Sequence, residues 1–514
     1  MIKILWIDDE IEHFKSHILF LNKKGYLVHT SKSGLEAIDF LEKNQCDVIL
    51  IDQNMPGLSG TESINLINKN HSIIPVIMIT QNSENETIEN ALGLKVTDYL
   101  IKPLNPNQIL LSLTKIFRNK EIVNNKTISN YQKSYIEIND KINFSKTIED
   151  WIEVYKSLIF WELEISEIEE KEVYEILYSQ KKQANILFAD FIEKNYEELL
   201  LDNEFLSSIN LFKNKIIPEI NSDLPTLMIL VDNLRYDQWK SIEPFIIEDY
   251  KIQSDIIYSS ILPTTTQYAR NSIFSGLSPV DLKKKHPGYW ISEISEGGKN
   301  NYENELIKEQ FYRLGKDIKY KYHKITNSKE GDYFLSNLIN EKENDLSVLV
   351  YNFVDMMSHA KKDVKFIKEL ASSDKAYRDI TKSWFNNSKL KEIIKKAKSL
   401  GFKIIITSDH GTINVDKPAL VSGDKEISNN LRYKTSRQIH SSKKEAINLK
   451  DPSKFMLPSN HLSSCYIFAK DNTYFVYKNN YNNYVNMFKN TYQHGGVSLE
   501  EILIPFIVIS PKWN

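Results

Sequence analysis

Three stretches of the chain end a run of aliphatic residues on an aspartate, and two of them add a histidine within a turn. They read LMILVDNLR, with Asp232; VLVYNFVDMMSH, with Asp355 and His359; and KIIITSDHG, with Asp409 and His410. Such runs suit parallel strands buried on both faces, and open α/β sheets collect ligands at the carboxyl ends of their strands. Carboxylates and imidazoles delivered there from distant segments predict a preformed site for divalent metal, and so metal-dependent hydrolysis. The closing stretch YQHGGVSLEEILIPF offers His494 as a further ligand. LPTTTQ supplies the hydroxyls of Thr264, Thr265 and Thr266 in a loop that opens a helix ending near Gly276. A hydroxyl at a helix N-terminus sits among open N–H groups and the positive dipole end, a setting for phosphate oxygens and an alkoxide nucleophile. Asp232, Thr266, Asp355, His359, Asp409, His410 and His494 make a nitrogen and oxygen donor set. Imidazole is a poor Mg²⁺ ligand, so the set suits two Zn²⁺ or Mn²⁺ ions better than Mg²⁺ alone. Arg270, one turn beyond Thr266, is placed to clamp a non-bridging phosphate oxygen; a surface or capping role is equally open.

A second group of polar residues lies in the first 120 residues. Asp8, Asp9 and Asp52 follow apolar, strand-like runs and would converge into one acidic pocket. Crowded carboxylates repel, a divalent cation relieves them, and oxygen-only ligation favours Mg²⁺. Thr80 adds a hydroxyl and Lys102 a cation, which with the metal would neutralise a phosphoryl group carried on Asp52.

The elements that must hold these groups are legible as patterns. Residues 2–7, 26–30, 47–51, 75–79 and 98–101 read as strands separated by helical stretches. Five β/α units in this order predict a doubly wound parallel sheet. Residues 121–215 contain almost no Gly or Pro and repeat Ile148, Trp151, Ile152, Tyr155, Leu158 and Ile159 at helical spacing. That predicts three or so amphipathic helices in a small bundle. From 216 the α/β rhythm returns, interrupted at about 277–330 and 412–460 by polar, Lys-rich segments of low periodicity, of the kind that form lids or caps over sites. The expected domains are therefore 1–120, 121–215 and 216–514.

The motifs resemble known families. WIDDE, LIDQNMPGLSG, MITQ and DYLIKP resemble the receiver domain of two-component response regulators, a flavodoxin-like fold. The resemblance implies that Asp52 accepts phosphate from a histidine kinase and that Asp8, Asp9 and Asp52, with the Asn54 carbonyl, hold Mg²⁺. It also implies that Thr80, Tyr99 and Lys102 form the switch. Residues from about 222 onward resemble the alkaline phosphatase superfamily, and HGGVSLEEILIPF its PglZ branch. That implies one metal on Asp232, Thr266, Asp409 and His410, and another on Asp355, His359 and His494. The implied nucleophile is a threonine of LPTTTQ, with Thr266 preferred over Thr264 and Thr265. The whole arrangement is similar to PorX-type response regulators linked to type IX secretion in Bacteroidota. It implies dimerisation on phosphorylation and contacts with a sigma factor or secretion components. The resulting expectation is a zinc-dependent phosphodiesterase acting on nucleotides or short oligonucleotides. The rivals are a non-enzymatic, metal-stabilised adaptor and, more weakly, a Mn²⁺-dependent phosphomonoesterase or mutase.

Composition agrees with this class. A chain of 514 residues holds roughly two or three domains, and a net charge of -3 exerts no global pull on nucleic acid or anionic membrane. Two cysteines, Cys46 and Cys465, exclude a disulfide framework and a thiolate zinc cluster. No apolar run approaches the roughly 20 residues a membrane span needs, and Asp8, Asp9 and Glu10 break any signal-like start. A cytoplasmic protein is expected.

Overall fold

The computed structural model describes residues 2–70, 74–81, 96–168, 171–220, 224–291, 298–352, 373–423, 430–459, 461, 463–479 and 481–512. It divides into two compact units, Met1–Asn130 and Tyr131–Asn514.

In the first unit, β1 (Lys3–Ile7), β2 (Leu27–Ser31), β3 (Val48–Asp52), β4 (Val76–Thr80) and β5 (Asp98–Ile101) form a sheet in the order β2-β1-β3-β4-β5. All four pairings are parallel. β3 and β4 are buried at every position, so their polar residues can only emerge at the carboxyl ends. This is the expected flavodoxin-like receiver fold.

In the second unit, helix Ile148–Ser166 begins at a capping box between Thr147 and Asp150. It packs on helix Lys171–Leu201, with Trp151 edge-on to Phe188 at 5.5 Å. The expected boundary at residue 120 falls inside a continuous helix, Pro106–Phe144. With no Gly or Pro between 107 and 144, nothing in the sequence breaks that helix.

The output sheet contains β6 (Thr226–Val231), β7 (Tyr250–Ser259), β8 (Tyr320–Ile325), β9 (Leu346–Tyr351), β10 (Lys403–Thr407) and the last strand, Leu503–Pro511. Its order is β7, the last strand, β10, β6, β9, β8. The last strand runs antiparallel to its two neighbours, and the other pairs are parallel. β6, β9 and β10 are buried throughout. Helix Thr266–Ser275 docks through Ile273 and Phe274 onto a core shared with Met228, Leu230, Val348 and Val350, which fixes its N-terminus at the strand ends.

Both segments of low periodicity contain regular structure. Residues 277–330 include helices Pro279–Lys285 and Glu303–Arg313 and the edge strand β8. Residues 412–460 build small sheets, among them Lys417–Gly423 paired with Thr473–Tyr477. Their elements are short, and polar, Lys-rich stretches separate them, so no long period stands out in the sequence. Among the described residues, no helix is long and apolar enough to cross a membrane.

Asp471 lies in the turn between strands Cys465–Ala469 and Thr473–Tyr477 at φ 48. Burial pushes its carboxyl up to about 6, beyond what the Asn472 amide and the Lys182 and Arg432 cations offset. The folded value exceeds the unfolded one, so its contribution is present at low pH and lost as pH rises through about 6. Asn tolerates the left-handed backbone. Asp471→Asn is therefore expected to add up to about 3 kcal/mol at pH above about 7 and almost nothing near pH 4. Urea titrations at both pH values check this, and an equal gain at both would contradict it.

Candidate functional site

In the receiver, Asp8 at the end of β1 and Asp52 at the end of β3 are buried. One carboxylate oxygen from each of Asp8, Asp9 and Asp52 lies within 4.8 Å of the others. Lys102 Nζ stands 3.3 Å from Asp8 Oδ2 and 3.0 Å from Asp52 Oδ1. Burial raises the Asp52 carboxyl despite Lys102. Burial also works against the Lys102 cation, but the two carboxylates outweigh it and raise its pKa. Asn54 follows in the exposed turn beyond β3. That turn closes tightly: a Cβ on Gly60 would fall 2.5 Å from the Asp52 carbonyl oxygen. Thr80 is buried at the end of β4, and the Lys102 amide donates to its carbonyl at 2.8 Å. The Tyr99 ring packs beside Met78, and its buried hydroxyl has no partner among the described residues. The all-oxygen donor set fits a hard divalent cation.

In the output domain, Asp232 emerges from β6 and Asp409 and His410 from β10, and ligand atoms of the three lie within 4.8 Å of one another. The Asn233 amide donates to Asp409 Oδ1 at 3.2 Å, tying the two turns together. Thr266 opens its helix with Oγ1 3.1 Å from His410 Nε2. The His494 ring stacks on His410 at 4.4 Å. His410 Nδ1 donates to the Gly411 carbonyl at 3.1 Å, and His494 Nδ1 to the Thr264 carbonyl at 3.2 Å. A carbonyl only accepts, so in the neutral form of either ring the lone pair is on Nε2, the nitrogen a metal would take. Burial first, and His410 second, push His494 down to about 3, which keeps that ring neutral. Carboxylates, Nε2 lone pairs and a hydroxyl fit zinc. Asp355 and His359 lie outside the described residues.

The three threonines part company. Thr264 is buried, donating to the Gly496 carbonyl at 3.0 Å and accepting from the Gly495 amide at 3.0 Å. The Thr265 hydroxyl is buried with no partner among the described residues. Only the Thr266 hydroxyl of the three bonds to His410.

Arg270, for which a phosphate clamp and a surface or capping role were both open, is engaged by carboxylates. Its side chain is 1% exposed. It contacts Asp232 at 2.8 Å, Asp409 at 2.9 Å and Glu303 at 3.5 Å. Two carboxylates converging in a dry pocket demand a counter-charge, and the guanidinium supplies it. Burial raises Asp232 against the pull of Arg270. Burial opposes the Asp409 charge too, but there Arg270 and His410 prevail and lower it. Sequence reading also missed Glu303, which accepts from Tyr322 and from Lys324 at 3.1 Å. It missed Asn300 as well, whose side chain donates to the Thr266 carbonyl at 2.9 Å. Both belong to the segment of low periodicity, and neither carries a spacing signal.

Against known proteins, the family model for the PglZ alkaline-phosphatase-like domain of BREX systems matches residues 211–509. The response-regulator receiver model matches 4–114, and the PorX response-regulator linker model 121–200. The chain belongs to the PorX-type response regulators. As a PorX-type protein it joins a receiver, which takes phosphate from a donor such as a histidine kinase, to a PglZ phosphatase-like domain. It is 27% identical to the regulatory protein VanRc of Enterococcus gallinarum over 206 residues, 39% of this chain and 83% of that one. It is 34% identical to a CpxR homolog of Haemophilus influenzae over 134 residues, 26% of this chain and 57% of that one. The chemotaxis protein CheY4 of Vibrio cholerae is 31% identical, covering 22% of this chain and 98% of its own, at a TM-score of 0.22.

Arg270→Met leaves Asp232 and Asp409 facing each other without a counter-charge. The metal-free variant is expected to lose about 3–5 kcal/mol and to recover more stability on zinc addition than the wild type. Denaturation in chelator and in zinc measures both. A variant as stable as wild type without metal would contradict the assigned role.

Proposed function

We propose that this PorX-type protein is a metal-dependent phosphodiesterase of nucleotides or short oligonucleotides, controlled by phosphorylation of Asp52 and acting in the regulation of type IX secretion. The observation that carries the catalytic part is the Thr266 hydroxyl, at the open end of a helix, 3.1 Å from His410 Nε2 beside two carboxylates.

Asp232, Thr266, Asp409 and His410 would hold one zinc, and His494 with Asp355 and His359 a second. Bound there, zinc supplies a lowered pKa for the Thr266 hydroxyl and charge shielding for the phosphoryl group. The chain's own residues do the rest. Thr266 Oγ1 attacks phosphorus in line, and the bond to the leaving oxygen breaks. The proton from Oγ1 ends on the leaving alcohol. Water then releases the phosphomonoester product and restores the hydroxyl. The first-turn amides of the Thr266 helix face phosphate oxygens. Among the described residues, Arg270 and Lys324 are both engaged by carboxylates, an arrangement that favours a diester monoanion over a dianion.

In the receiver, phosphate on Asp52 would draw Thr80 and Lys102 toward it and reorient Tyr99, whose buried hydroxyl lacks a partner among the described residues. Mg²⁺ on Asp8, Asp9, Asp52 and the Asn54 carbonyl supports transfer. The exposed product of that switch is a homodimer face.

A second reading rests on Arg270. A guanidinium that already neutralises Asp232 and Asp409 also suits a non-enzymatic adaptor that binds a sigma factor or secretion component. Metal content and turnover separate the two.

Thr266→Val is expected to lower kcat/KM for a chromogenic phosphodiester by at least about 10³, with Thr265→Val within about threefold of wild type. Equal activity in Thr266→Val removes the assigned nucleophile. Beryllofluoride with Mg²⁺ is expected to double the scattering mass of the wild type and not of Asp52→Asn; an unchanged mass removes the dimer switch.

A further inference from the structure

The linker helices carry a buried ammonium that the reaction scheme does not use. Lys181, on helix Lys171–Leu201, is 5% exposed. Its Nζ lies 2.9 Å from Glu162, 3.1 Å from Asp374 and 3.1 Å from Glu500. These carboxylates come from three different segments: linker helix Ile148–Ser166, output helix Asp374–Asn387 and the short helix Leu499–Ile502. Around them, Arg235 reaches Asp374 at 2.9 Å and also pairs with Asp237. Arg378 reaches Asp237 at 3.2 Å and pairs with Glu162. Asn185, one helical turn past Lys181, donates to Glu500 at 3.0 Å and accepts from the Leu499 amide at 2.8 Å.

Each partner of Lys181 in the output domain adjoins a turn that carries a candidate ligand. Asp374 holds Arg235, three residues past Asp232. It also accepts from the Tyr492 hydroxyl at 2.9 Å, two residues before His494. The Arg235 guanidinium sits 5.5 Å from the Tyr377 and Tyr492 rings. Glu500 bears on the third turn: a Cβ on Gly411, beside His410, would lie 1.9 Å from the Glu500 carbonyl oxygen. The Gly411 amide donates to the next carbonyl, Glu501, at 3.2 Å. Without Lys181, Arg235 and Arg378 alone would face Glu162, Asp237, Asp374 and Glu500. Buried like charges left unpaired repel strongly, and the repulsion would act on the segments that space the three turns.

We propose that Lys181 is a positioning residue of the phosphohydrolase site. Through Asp374 and Glu500, this linker ammonium fixes the turns bearing Asp232, His410 and His494, so that the helical linker is part of the catalytic unit rather than a spacer. The proposal rests on the phosphodiesterase reading for its kinetic consequence, and on zinc binding at Asp232, Asp409 and His410 for an independent one.

The test uses the full chain with Lys181→Met, Lys181→Arg, Asn185→Ala and, as a stability control in the bundle core away from this network, Trp151→Phe. Zinc affinity is read by competition with a chromophoric chelator, kcat and KM on bis(p-nitrophenyl) phosphate, and stability by thermal melting. Lys181→Met is expected to weaken zinc binding about tenfold and lower kcat about tenfold or more, with KM within about threefold. Lys181→Arg should restore most of both. Asn185→Ala, which removes a tie to Glu500 without stranding a charge, should move both the same way by about threefold, and it decides the matter if Lys181→Met does not fold. Trp151→Phe should lower the melting temperature and leave zinc affinity and kcat alone. Wild-type zinc affinity and kcat in Lys181→Met, or changes in all variants that merely follow their melting temperatures, would overturn the proposal. A wild type that binds zinc but turns nothing over sinks the phosphodiesterase reading while zinc affinity still decides the role of Lys181. A wild type with neither property removes the site and this proposal together.

Discussion

The structure of the output domain turns on a conflict between two carboxylates. Asp232 and Asp409 leave adjacent buried strands and meet where water is scarce. Neither can be ionised cheaply beside the other, and the fold resolves the conflict with Arg270, which contacts both. Asp232 is raised and Asp409 lowered, so the pair divides its charge unevenly. A guanidinium is a fixed cation, whereas a metal can also accept a hydroxyl and a phosphoryl oxygen. In the proposed phosphodiesterase the same two carboxylates would hold zinc, with Glu303 close by as the third partner of Arg270.

What surrounds the conflict keeps it in register. β6 and β10 pair in parallel, Thr407 opposite Leu230, so their polar termini leave the sheet side by side. Helix Thr266–Ser275 is anchored by its own apolar face, which holds its first residue over those termini. Behind them lies the linker network around Lys181, where four carboxylates and three cations are buried together. Buried ion clusters tolerate little displacement, because each partner lost leaves another unpaired. In the proposed role of Lys181, such a cluster beside the candidate site serves geometry more than net stability.

Much of this was legible in the sequence, for reasons that particular residues make plain. Asp52 and Asp232 follow a continuous aliphatic run, and Asp409 follows one across Thr407 and Ser408; such a run fixes both the strand and the end of the sheet where these residues emerge. The linker helices were legible because Trp151, Tyr155, Leu158 and Ile159 repeat at one period without Gly or Pro to interrupt them. The environments of Thr264, Thr265 and Thr266 were not, because Thr264 is engaged by the Gly495–Gly496 backbone, a contact across 232 residues. Arg270 followed the helix start at the right spacing, yet its partners come from the ends of two strands and from another helix. Glu303, Asn300 and the Lys181 cluster carry no local signature at all: a buried charge is written in the sequence with the same letters as a solvated one.

Anomalous diffraction at the zinc edge, from crystals of the full chain grown with zinc, tests the central claim most directly. The account predicts a peak bounded by Asp232, Asp409, His410 Nε2 and Thr266 Oγ1, with the Arg270 guanidinium moved off at least one of the two carboxylates. A map with no peak there, and Arg270 still bridging Asp232 and Asp409, would contradict it.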